Sequence, residues 1–497
     1  MTRDARAILD ELVAARNERS EQRAARVLRE DIRYWDSQHG DVEGRDAVAA
    51  VLTALDARFE LETVAAQEDD AVAEVQIDEG GRSHRSTEVY RLDGGAVAGV
   101  KAYFDVHRYP RPVMTPISLI PPAPPLSPPD RLLCGPGPTN VEPSVLDAMR
   151  QSMMGHLDPT MHELLLDLVE MQRAVYGVEG DAVTLPLQAT GMSGMETGIV
   201  NLVSRGDVVI VGYAGFFGRR IAQMAARHGA EVVEVTRDWG EIVPNEALLE
   251  ALDERPEARL LAVVHAETST GAQHPLAELG AALRDRDTLL LADCVTSLGG
   301  IPLAFSEWGV DFAYSCTQKA LGAPPGMSPI AFSERAMERC RTRDHQVPFS
   351  FDIELLLDYW VRRPATYHHT APILHIYALY QALRHALDEG LEARWARHEE
   401  AGRYLQGKVC ERGFDLVADP EHQLPHLTAV RVPDRFDGKR VQQRLLDEHG
   451  IEVGGGLGPD APPMWRIGLM GPNASIDVAD RVLTAFDAVL ASEPAAE

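Results

Sequence analysis

Two helical patterns followed by alternating segments occupy the first 108 residues. The helical patterns place apolar side chains at Ile8, Leu9, Leu12 and Val13, and again at Val48, Val51, Leu52 and Leu55. Apolar and polar residues alternate near residues 60–66, 71–78, 83–92 and 95–104, and the turn sequences EDD, DEGG and DGG separate these segments. Such alternation is typical of half-buried strands. We therefore predict an α+β domain, with helices first and an antiparallel meander after them.

Short apolar runs alternate with longer helical patterns beyond residue 131. The runs DVVIVG, AEVVEVT, RLLAVVHAE and TLLLADCV are apolar almost throughout, as expected of a parallel sheet that helices cover on both faces. From about residue 390 amphipathic helices such as DGKRVQQRLLDEHG dominate, with short strands between them. We predict an α/β large domain over residues 131–388 and a smaller α+β domain over residues 389–497.

A proline-rich segment separates these two patterns. The stretch YPRPVMTPISLIPPAPPLSPP contains nine prolines, and proline lacks the N–H group that helix and sheet interiors need. We expect a semi-rigid linker over residues 109–130, which leaves residues 1–108 as a separate domain.

Composition and charge exclude several classes of function. The chain of 497 residues has 48 Lys plus Arg against 76 Asp plus Glu, a formal net charge of -28, which repels nucleic-acid phosphates and anionic membranes. No stretch approaches the ~20 apolar residues that cross a bilayer, and the acidic, amphipathic start is unlike a signal peptide. The five cysteines lie far apart without a C-x-x-C pair, so neither a disulfide framework nor a zinc site is indicated. We expect a cytoplasmic protein that binds neither nucleic acid nor membranes.

Three features of the α/β region carry candidate chemistry. Asp293 ends an apolar strand, where a buried carboxylate needs a cation. Lys319, one of only four lysines in the chain, follows a short apolar strand in AYSCTQKALGAPPG. The glycine-rich turn in ATGMSGMETGIVNLV runs into a helix, whose first N–H groups favour a phosphate. Each feature has an ordinary structural explanation on its own, but together they supply the amine, the acid and the anion site that pyridoxal 5′-phosphate (PLP) requires.

Residues 132–490 resemble the fold-type I, class V aminotransferases of the alanine-glyoxylate and serine-glyoxylate branch. The resemblance rests on the ordered motifs CGPGPTN, GHLDP, ATGMSGMET, GFFGRR, HAETSTG, DCVTSLGGIPL, YSCTQKALGAPPG, YHHTAP, GIEVGGGLG and WRIGLMG. It implies PLP as the cofactor. It also implies a large domain with a mostly parallel seven-stranded sheet, followed by an α+β small domain.

The resemblance assigns roles in the cofactor site. It implies that Lys319 binds the cofactor covalently and acts as general base, and that Asp293 keeps the pyridine nitrogen protonated. The other implied contacts are Thr190, Gly191, Met192 and Gln318 at the phosphate, Phe217 and Val295 on the two ring faces, and Thr268 at the phenolic oxygen.

Two further motifs imply the substrate site and the assembly. Arg466 in WRIGLMG is implied to bind the substrate carboxylate, which a guanidinium matches with two hydrogen bonds. Tyr367 and Thr370 in YHHTAP are implied to reach the phosphate of a neighbouring subunit, so the resemblance predicts a homodimer with shared active sites. A metal bound by His368 and His369 is a weak alternative, because adjacent side chains point apart.

The implied reaction is a ping-pong transamination from a small amino acid, alanine or serine, to a small 2-oxo acid, glyoxylate or pyruvate. The alternative is a PLP-dependent lyase or transaminase that acts on a specialised amino donor in a biosynthetic pathway. A desulfurase also needs a mobile reactive cysteine, and neither Cys340 nor Cys410 has the expected position.

Residues 1–108 resemble the nuclear transport factor 2-like, SnoaL-type family. The resemblance rests on DIRYWDSQHGDVEGRDAV, STEVYRLDGGAV and KAYFD. Members build an NTF2-like α+β cone that in some cases holds an Asp/His pair, for which the candidates are Asp36, His39, Asp105 and His107. Polar residues at loop ends are an equally good interpretation of these four. A binding, cyclase or dimerisation role stays open for this domain.

Overall fold

The computed structural model describes residues 5–36, 40–43, 45–53, 58–67, 70–79, 82–93, 96–104 and 126–493. Contacts within the chain divide it into two compact units, Met1–Ser127 and Pro128–Glu497, and each is described by itself. Within these described ranges, no helix is both long enough and apolar enough to span a membrane.

The described part of the first unit combines three helices with one six-stranded sheet. The helices are α1 (Ala5–Asn17), α2 (Glu21–Ala25) and α3 (Arg45–Thr53). The strands are β1 (Leu28–Asp36), β2 (Gly40–Glu43), β3 (Arg58–Gln67), β4 (Asp70–Glu79), β5 (Arg82–Asp93) and β6 (Ala96–Phe104), in the sheet order β2-β1-β6-β5-β4-β3. Ile8, Leu9 and Leu12 are buried, which confirms the predicted apolar face of α1.

The predicted meander is confirmed, because β3, β4, β5 and β6 follow one another with antiparallel pairing. The sequence pattern missed β1 and β2. Five of the nine residues of β1 are charged, which hides any apolar alternation. β1 pairs in parallel with β6 and antiparallel with β2. Of the candidate Asp/His pair, Asp36 ends β1, whereas His39, Asp105 and His107 lie outside the described residues.

The second unit contains the remaining strands and helices. The strands are β7 (Leu132–Leu133), β8 (Val183–Leu187), β9 (Val208–Tyr213), β10 (Glu231–Thr236), β11 (Leu260–Val264), β12 (Ala266–Glu267), β13 (Ala272–Gln273), β14 (Leu289–Asp293), β15 (Phe312–Tyr314), β16 (Ser328–Phe332), β17 (Leu427–Arg431), β18 (Ile451–Glu452), β19 (Gly454–Gly455) and β20 (Met464–Gly468). The helices are α4 (Pro143–Ala148), α5 (Pro159–Tyr176), α6 (Gly191–Leu202), α7 (Phe216–Arg227), α8 (Asn245–Glu254), α9 (Ala277–Leu283), α10 (Glu334–Thr342), α11 (Ile353–Trp360), α12 (Ile373–Glu389), α13 (Leu391–Glu411), α14 (Gly438–His449) and α15 (Ile476–Ala491).

A seven-stranded sheet forms the centre of the second unit. Its strand order is β10-β9-β11-β14-β15-β16-β8. The strands from β10 to β15 run in parallel, whereas β16 is antiparallel to both of its neighbours. Every residue of β11 and β14 is buried, as expected where helices cover both faces. The predicted mostly parallel seven-stranded sheet is confirmed.

A smaller α+β layer forms the C-terminal part of this unit. The strands β17, β20 and β19 make an antiparallel sheet, and Trp465 on β20 is buried in a core that α13, α14 and α15 share. The start of the unit belongs to the same layer: β7 pairs in parallel with β18, and Cys134 is buried in the core around Trp465. The layer is therefore built from both ends of the second unit.

Candidate active site

The predicted residues Asp293, Lys319 and Thr190 lie at the edge of the central sheet where its parallel strands end, whereas Arg466 is on β20 of the smaller sheet. Asp293 is the last residue of β14, and the segment that leads to Lys319 follows β15. Strand β8 runs in the same direction as β15 and is followed by α6. Because ligands of α/β sheets bind at the carboxyl ends of the strands, this edge is the expected place for a cofactor.

Asp293 is a buried carboxylate with both oxygens engaged. Its side chain is only 2% exposed. Oδ2 accepts a 2.6 Å hydrogen bond from the Tyr314 hydroxyl, and Oδ1 accepts a 2.9 Å bond from the N–H of Val295. Burial raises the pKa of Asp293 to about 7, although these bonds and the nearby Lys319 oppose the increase. A protonated ring nitrogen placed against this carboxylate would keep it ionised.

Lys319 is a buried amine held by the loop that follows β7. Its side chain is 8% exposed, and Nζ donates to the carbonyl oxygen of Pro136. Gly137, with φ +105, packs against the lysine stem so closely that a Cβ there would lie 2.6 Å from Cδ of Lys319. Burial lowers the pKa of Lys319, while Asp293 raises it. Burial therefore favours the neutral amine, which is the nucleophilic form.

The start of α6 approaches the end of β14. The side chain of Thr190 caps α6 by accepting a bond from the N–H of Ser193. A Cβ at Gly191 would lie 3.1 Å from Cγ2 of Val295, so glycine permits the close approach. The first N–H groups of a helix have no acceptor within it, and in α6 these belong to Gly191 and Met192, the latter 36% exposed. This helix start offers donors to an anion.

Gln318 lies next to Lys319 in sequence and contributes unused hydrogen-bonding capacity. Its side-chain Oε1 is buried and finds no partner among the described residues. Its carbonyl oxygen accepts a 3.1 Å bond from the N–H of Thr139. A buried amide of this kind usually binds something, which makes the side chain available to a bound group.

The HAETSTG segment links three of the predicted residues. Thr268 is buried, and its Oγ1 shares a hydrogen bond with Oγ1 of Thr296. The preceding residue, Glu267, accepts a 3.1 Å bond from the N–H of Phe217, which is half-buried at the start of α7. The carbonyl oxygen of Thr268 accepts a 3.1 Å bond from Nη1 of Arg466. The segment thus joins α7 to β20.

Arg466 is a buried cation that forms no ion pair within the described residues, although the charge of Glu267 raises its pKa. Its side chain is 5% exposed, and Nε donates a 2.7 Å bond to the carbonyl oxygen of Gly455. No carboxylate in the described part of the second unit forms an ion pair with it. Burial lowers its pKa to about 10, which still leaves a cation at neutral pH. A buried guanidinium whose bonds go to carbonyl oxygens favours the binding of an anion such as a carboxylate.

Tyr367 and Thr370 lie on the exposed segment between α11 and α12, apart from the hydrogen-bonded group above. Tyr367 is 58% exposed, and its ring centroid lies 5.6 Å from that of His156.

Cys340, considered above for a desulfurase, is buried in α10, where burial raises its pKa to about 12. A thiol with so high a pKa is not a nucleophile at neutral pH.

Sequence reasoning missed Tyr314, Glu267 and the Pro136–Gly137 loop. A signal existed for the first two, because each places a polar side chain at the end of an apolar run, in DFAYS and in LLAVVHAE. The contact between Gly137 and Lys319 joins segments far apart along the chain. No local pattern predicts such a contact.

Known proteins resemble both units. The family model of the class-V aminotransferases matches residues 132–472, and that of the SnoaL-like domain matches residues 9–100. An alanine-glyoxylate aminotransferase of Oryctolagus cuniculus is 38% identical over 367 residues, which cover 73% of this chain and 93% of that protein. An (S)-ureidoglycine-glyoxylate transaminase of Bacillus subtilis is 33% identical over 381 residues, covering 73% of this chain and 91% of the relative.

Solved structures give the same result. The crystal structure of an alanine-glyoxylate aminotransferase from Nostoc sp. superposes with a TM-score of 0.72 at 47% identity, and the match covers 74% of this chain and 97% of that one. The predicted family is confirmed over residues 132–472, and so is the predicted SnoaL-type domain before it. The chain belongs to the class-V aminotransferase family.

Proposed function

We propose that the second unit is a PLP-dependent transaminase that moves the amino group of a small amino acid, alanine or serine, to a small 2-oxo acid, glyoxylate or pyruvate. The observation that carries the proposal is the burial of Asp293 and Lys319, which end and follow the neighbouring parallel strands β14 and β15, respectively. The names of the relatives from Oryctolagus cuniculus and Bacillus subtilis, both of which include glyoxylate, support that acceptor.

The residues at the sheet edge fit PLP. Asp293 offers a buried carboxylate to the pyridine nitrogen, and the side-chain amide of Gln318, whose Oε1 has no partner among the described residues, is next to Lys319 in sequence. Thr190, Gly191, Met192 and Gln318 would hold the phosphate, Phe217 and Val295 the ring faces, and Thr268 the phenolic oxygen. When bound, PLP supplies an aldehyde that reacts with amines and a ring that withdraws electrons from the Cα of an amino acid.

Three side chains of this protein, Arg466, Lys319 and Asp293, have roles in the proposed reaction. Arg466 binds the carboxylate of the amino acid, and later that of the 2-oxo acid, with a guanidinium that Gly455 and Thr268 hold in place. In the first half-reaction Nζ of Lys319 would move a proton from Cα of the donor to the aldehyde carbon C4′ of the cofactor, and in the second it would move a proton from C4′ to Cα of the new amino acid. A protonated ring nitrogen would keep Asp293 ionised, and the bonds that Tyr314 and the N–H of Val295 donate favour the same form. Donor and acceptor use the same site in turn, which gives ping-pong kinetics.

The test of this proposal is reduction with borohydride, followed by peptide mapping. We expect a PLP adduct on Lys319 in the wild type and none in Lys319→Ala, which should also lose turnover. Lys408→Ala is the matched control, because Lys408 is on the surface and pairs with Glu411 at 2.8 Å. An adduct on another lysine, or a full half-reaction by Lys319→Ala, would refute the assignment.

We also propose that the active unit is a homodimer in which Tyr367 and Thr370 complete the partner's site. Exposed apolar side chains on the same unit support an interface: Met153 is 73%, Leu157 54% and Phe349 63% exposed. The test mixes Lys319→Ala subunits with Tyr367→Ala subunits. If Tyr367 acts across the interface, a mixed dimer contains one site with both native residues, and activity returns. If Tyr367 acts within its own chain, no native site forms and activity stays absent.

A cytoplasmic location stays a prediction from the sequence. All five cysteines are free thiols, and four of them are buried. Reduced thiols are typical of cytosolic proteins. Fractionation of the native cell with a compartment marker tests the location.

A further inference from the structure

Glu267 is a buried carboxylate for which the proposed reaction has no role. It is 7% exposed at the end of β12. Oε1 accepts bonds from the N–H and the hydroxyl of Ser269, at 2.9 and 2.6 Å. Oε2 accepts bonds from the N–H groups of Phe217 and Gly218, at 3.1 and 3.2 Å. Burial raises the pKa of Glu267, and these four donated bonds oppose the increase.

The donors on Phe217 and Gly218 belong to the first turn of α7. Helix α7 has Gly215 at its N-cap position, which has no side chain to accept a bond. Ser269 accepts the N–H of Phe216 at 2.9 Å, and Glu267 accepts the next two N–H groups. Two side chains from a distant segment thus cap the helix, and the negative charge of the Glu267 carboxylate matches the positive end of the helix dipole.

The close approach requires glycine at position 215. A Cβ there would lie 2.6 Å from both Cγ of Glu267 and Oγ of Ser269. Such a Cβ would push the carboxylate away from the helix. The arrangement therefore fixes the distance between the HAETSTG segment and the helix that carries Phe217.

We propose that Glu267 is a positioning residue that fixes Phe217 against the cofactor ring. The inference rests on the proposed function, because it needs PLP at the sheet edge. Glu267 acts through α7 and does not itself touch the cofactor. Thr268 lies between the two capping residues, so the same short segment sets Phe217 on one side and supports Arg466 on the other.

The experiment compares Glu267→Gln with the wild type in binding of PLP. An amide in place of the carboxylate puts an N–H donor where an acceptor is needed. We expect PLP to bind roughly two- to tenfold more weakly, in the range that loss of a helix cap spans. We also expect the visible circular dichroism of the bound cofactor to change, because the stacked ring moves. Ser269→Ala removes one bond to Glu267 and one to α7, and serves as the milder variant if Glu267→Gln does not fold.

The control is Asp437→Ala, which removes a helix cap away from the proposed cofactor site. Asp437 caps α14, which like α7 has 12 residues, by accepting bonds of 3.0 and 3.1 Å from two N–H groups. This substitution at Asp437 should lower the melting temperature of the protein. It should leave the affinity for PLP and the visible dichroism of the bound cofactor unchanged. A second control introduces Glu267→Gln into Phe217→Leu, where the effect on the dichroism should disappear because Phe217 transmits it.

Two outcomes would overturn the inference. One is a Glu267→Gln protein that is less stable but binds PLP with wild-type affinity and dichroism. The other is an effect that persists unchanged in Phe217→Leu. A wild type that binds no PLP would instead refute the proposed function.

Discussion

The hydroxyl of Tyr314 donates a 2.6 Å hydrogen bond to Oδ2 of Asp293 at the end of two neighbouring strands. Both side chains are buried, and the N–H of Val295 occupies the other carboxylate oxygen. The carboxylate is therefore fixed before a ligand arrives. Because the bond from Tyr314 lowers the pKa of Asp293 against the effect of burial, Tyr314 also favours the ionised form that a ring nitrogen needs.

Tyr314→Phe should weaken PLP binding. A hydrogen bond to a charged group contributes about 1.5 to 3 kcal/mol, which corresponds to roughly a 10- to 100-fold higher Kd, measured by titration with PLP. The matched control is Tyr176→Phe, whose buried hydroxyl donates a 2.8 Å bond to the carbonyl oxygen of Pro329. The Tyr176→Phe variant should be less stable than the wild type but should bind PLP with the same Kd. Equal affinity in Tyr314→Phe and the wild type would contradict the role of Tyr314.

Asp293 should make the stability of the cofactor-free protein depend on pH. Burial raises its pKa to about 7, so the folded protein holds this proton more tightly than the unfolded chain does. The contribution to the free energy of unfolding is therefore complete at low pH and is lost as the pH rises through about 7. Asp293→Asn has no carboxyl group at this position, so its free energy of unfolding does not fall in this way. The difference in free energy of unfolding, variant minus wild type, should therefore increase by roughly 3 to 4 kcal/mol from about pH 4 to about pH 8.

Urea denaturation at several pH values measures this difference. The buried histidines titrate in both proteins and cancel in the comparison. A difference between Asp293→Asn and the wild type that stays constant across this pH range would show that the carboxyl group keeps an ordinary pKa.

Gly137→Ala should displace the side chain of Lys319, an effect that the strain of a positive φ does not produce by itself. Gly137 has φ +105, and an added Cβ would meet Cδ and Cε of Lys319 at 2.6 and 2.8 Å. Gly206→Ala is the control, since Gly206 has φ +88 but nothing within 4 Å of an added Cβ. Both variants should lose about 1 kcal/mol of stability from the positive φ. Only Gly137→Ala should lose borohydride-trapped PLP and kcat, and comparable activity in the two variants would contradict the contact.

Arg466→Lys should raise the KM of both substrates. Donor and acceptor each present a carboxylate, and an ammonium cannot bind it with two parallel hydrogen bonds. The loss should amount to about 1.5 to 3 kcal/mol in kcat/KM for each half-reaction, with the bound PLP retained. Arg173→Lys is the control, because Arg173 also donates to a carbonyl oxygen, that of Gly180 at 2.8 Å. An unchanged kcat/KM for either substrate would contradict the prediction, because the carboxylate of that substrate would then bind elsewhere.

The sequence predicted the strands of the large sheet because their burial is a local property. The runs that became β9, β11 and β14 are apolar almost throughout, and these strands are buried along nearly their whole length, as predicted. Strand β1 was missed because five of its nine residues are charged. Its position in the sheet depends on pairing with β6, and local patterns carry no information about a partner strand.

Residues of the candidate site were predictable where a residue type has a strong chemical preference and a motif contains it. Asp293, Lys319 and Arg466 are of this kind, and all three are buried as their chemistry requires. The supporting contacts were not predictable. The bonds from Tyr314 to Asp293 and from Phe217 to Glu267 depend on the exact alignment of neighbouring elements, which only the folded chain defines.

The pairing of β7 with β18 has a consequence for synthesis of the protein. Leu132 lies beside Ile451, and Nδ2 of Asn473 donates a 2.9 Å bond to the carbonyl oxygen of Leu133, 340 positions earlier. During translation, β7 and Cys134 leave the ribosome more than 300 residues before β18 does. They therefore stay without this partner strand until most of the chain has been translated. A nascent chain that stops before Ile451 therefore lacks the partner strand of β7, and the thiol of Cys134 stays exposed. Pro136, which accepts the bond from Lys319, is only two residues from Cys134.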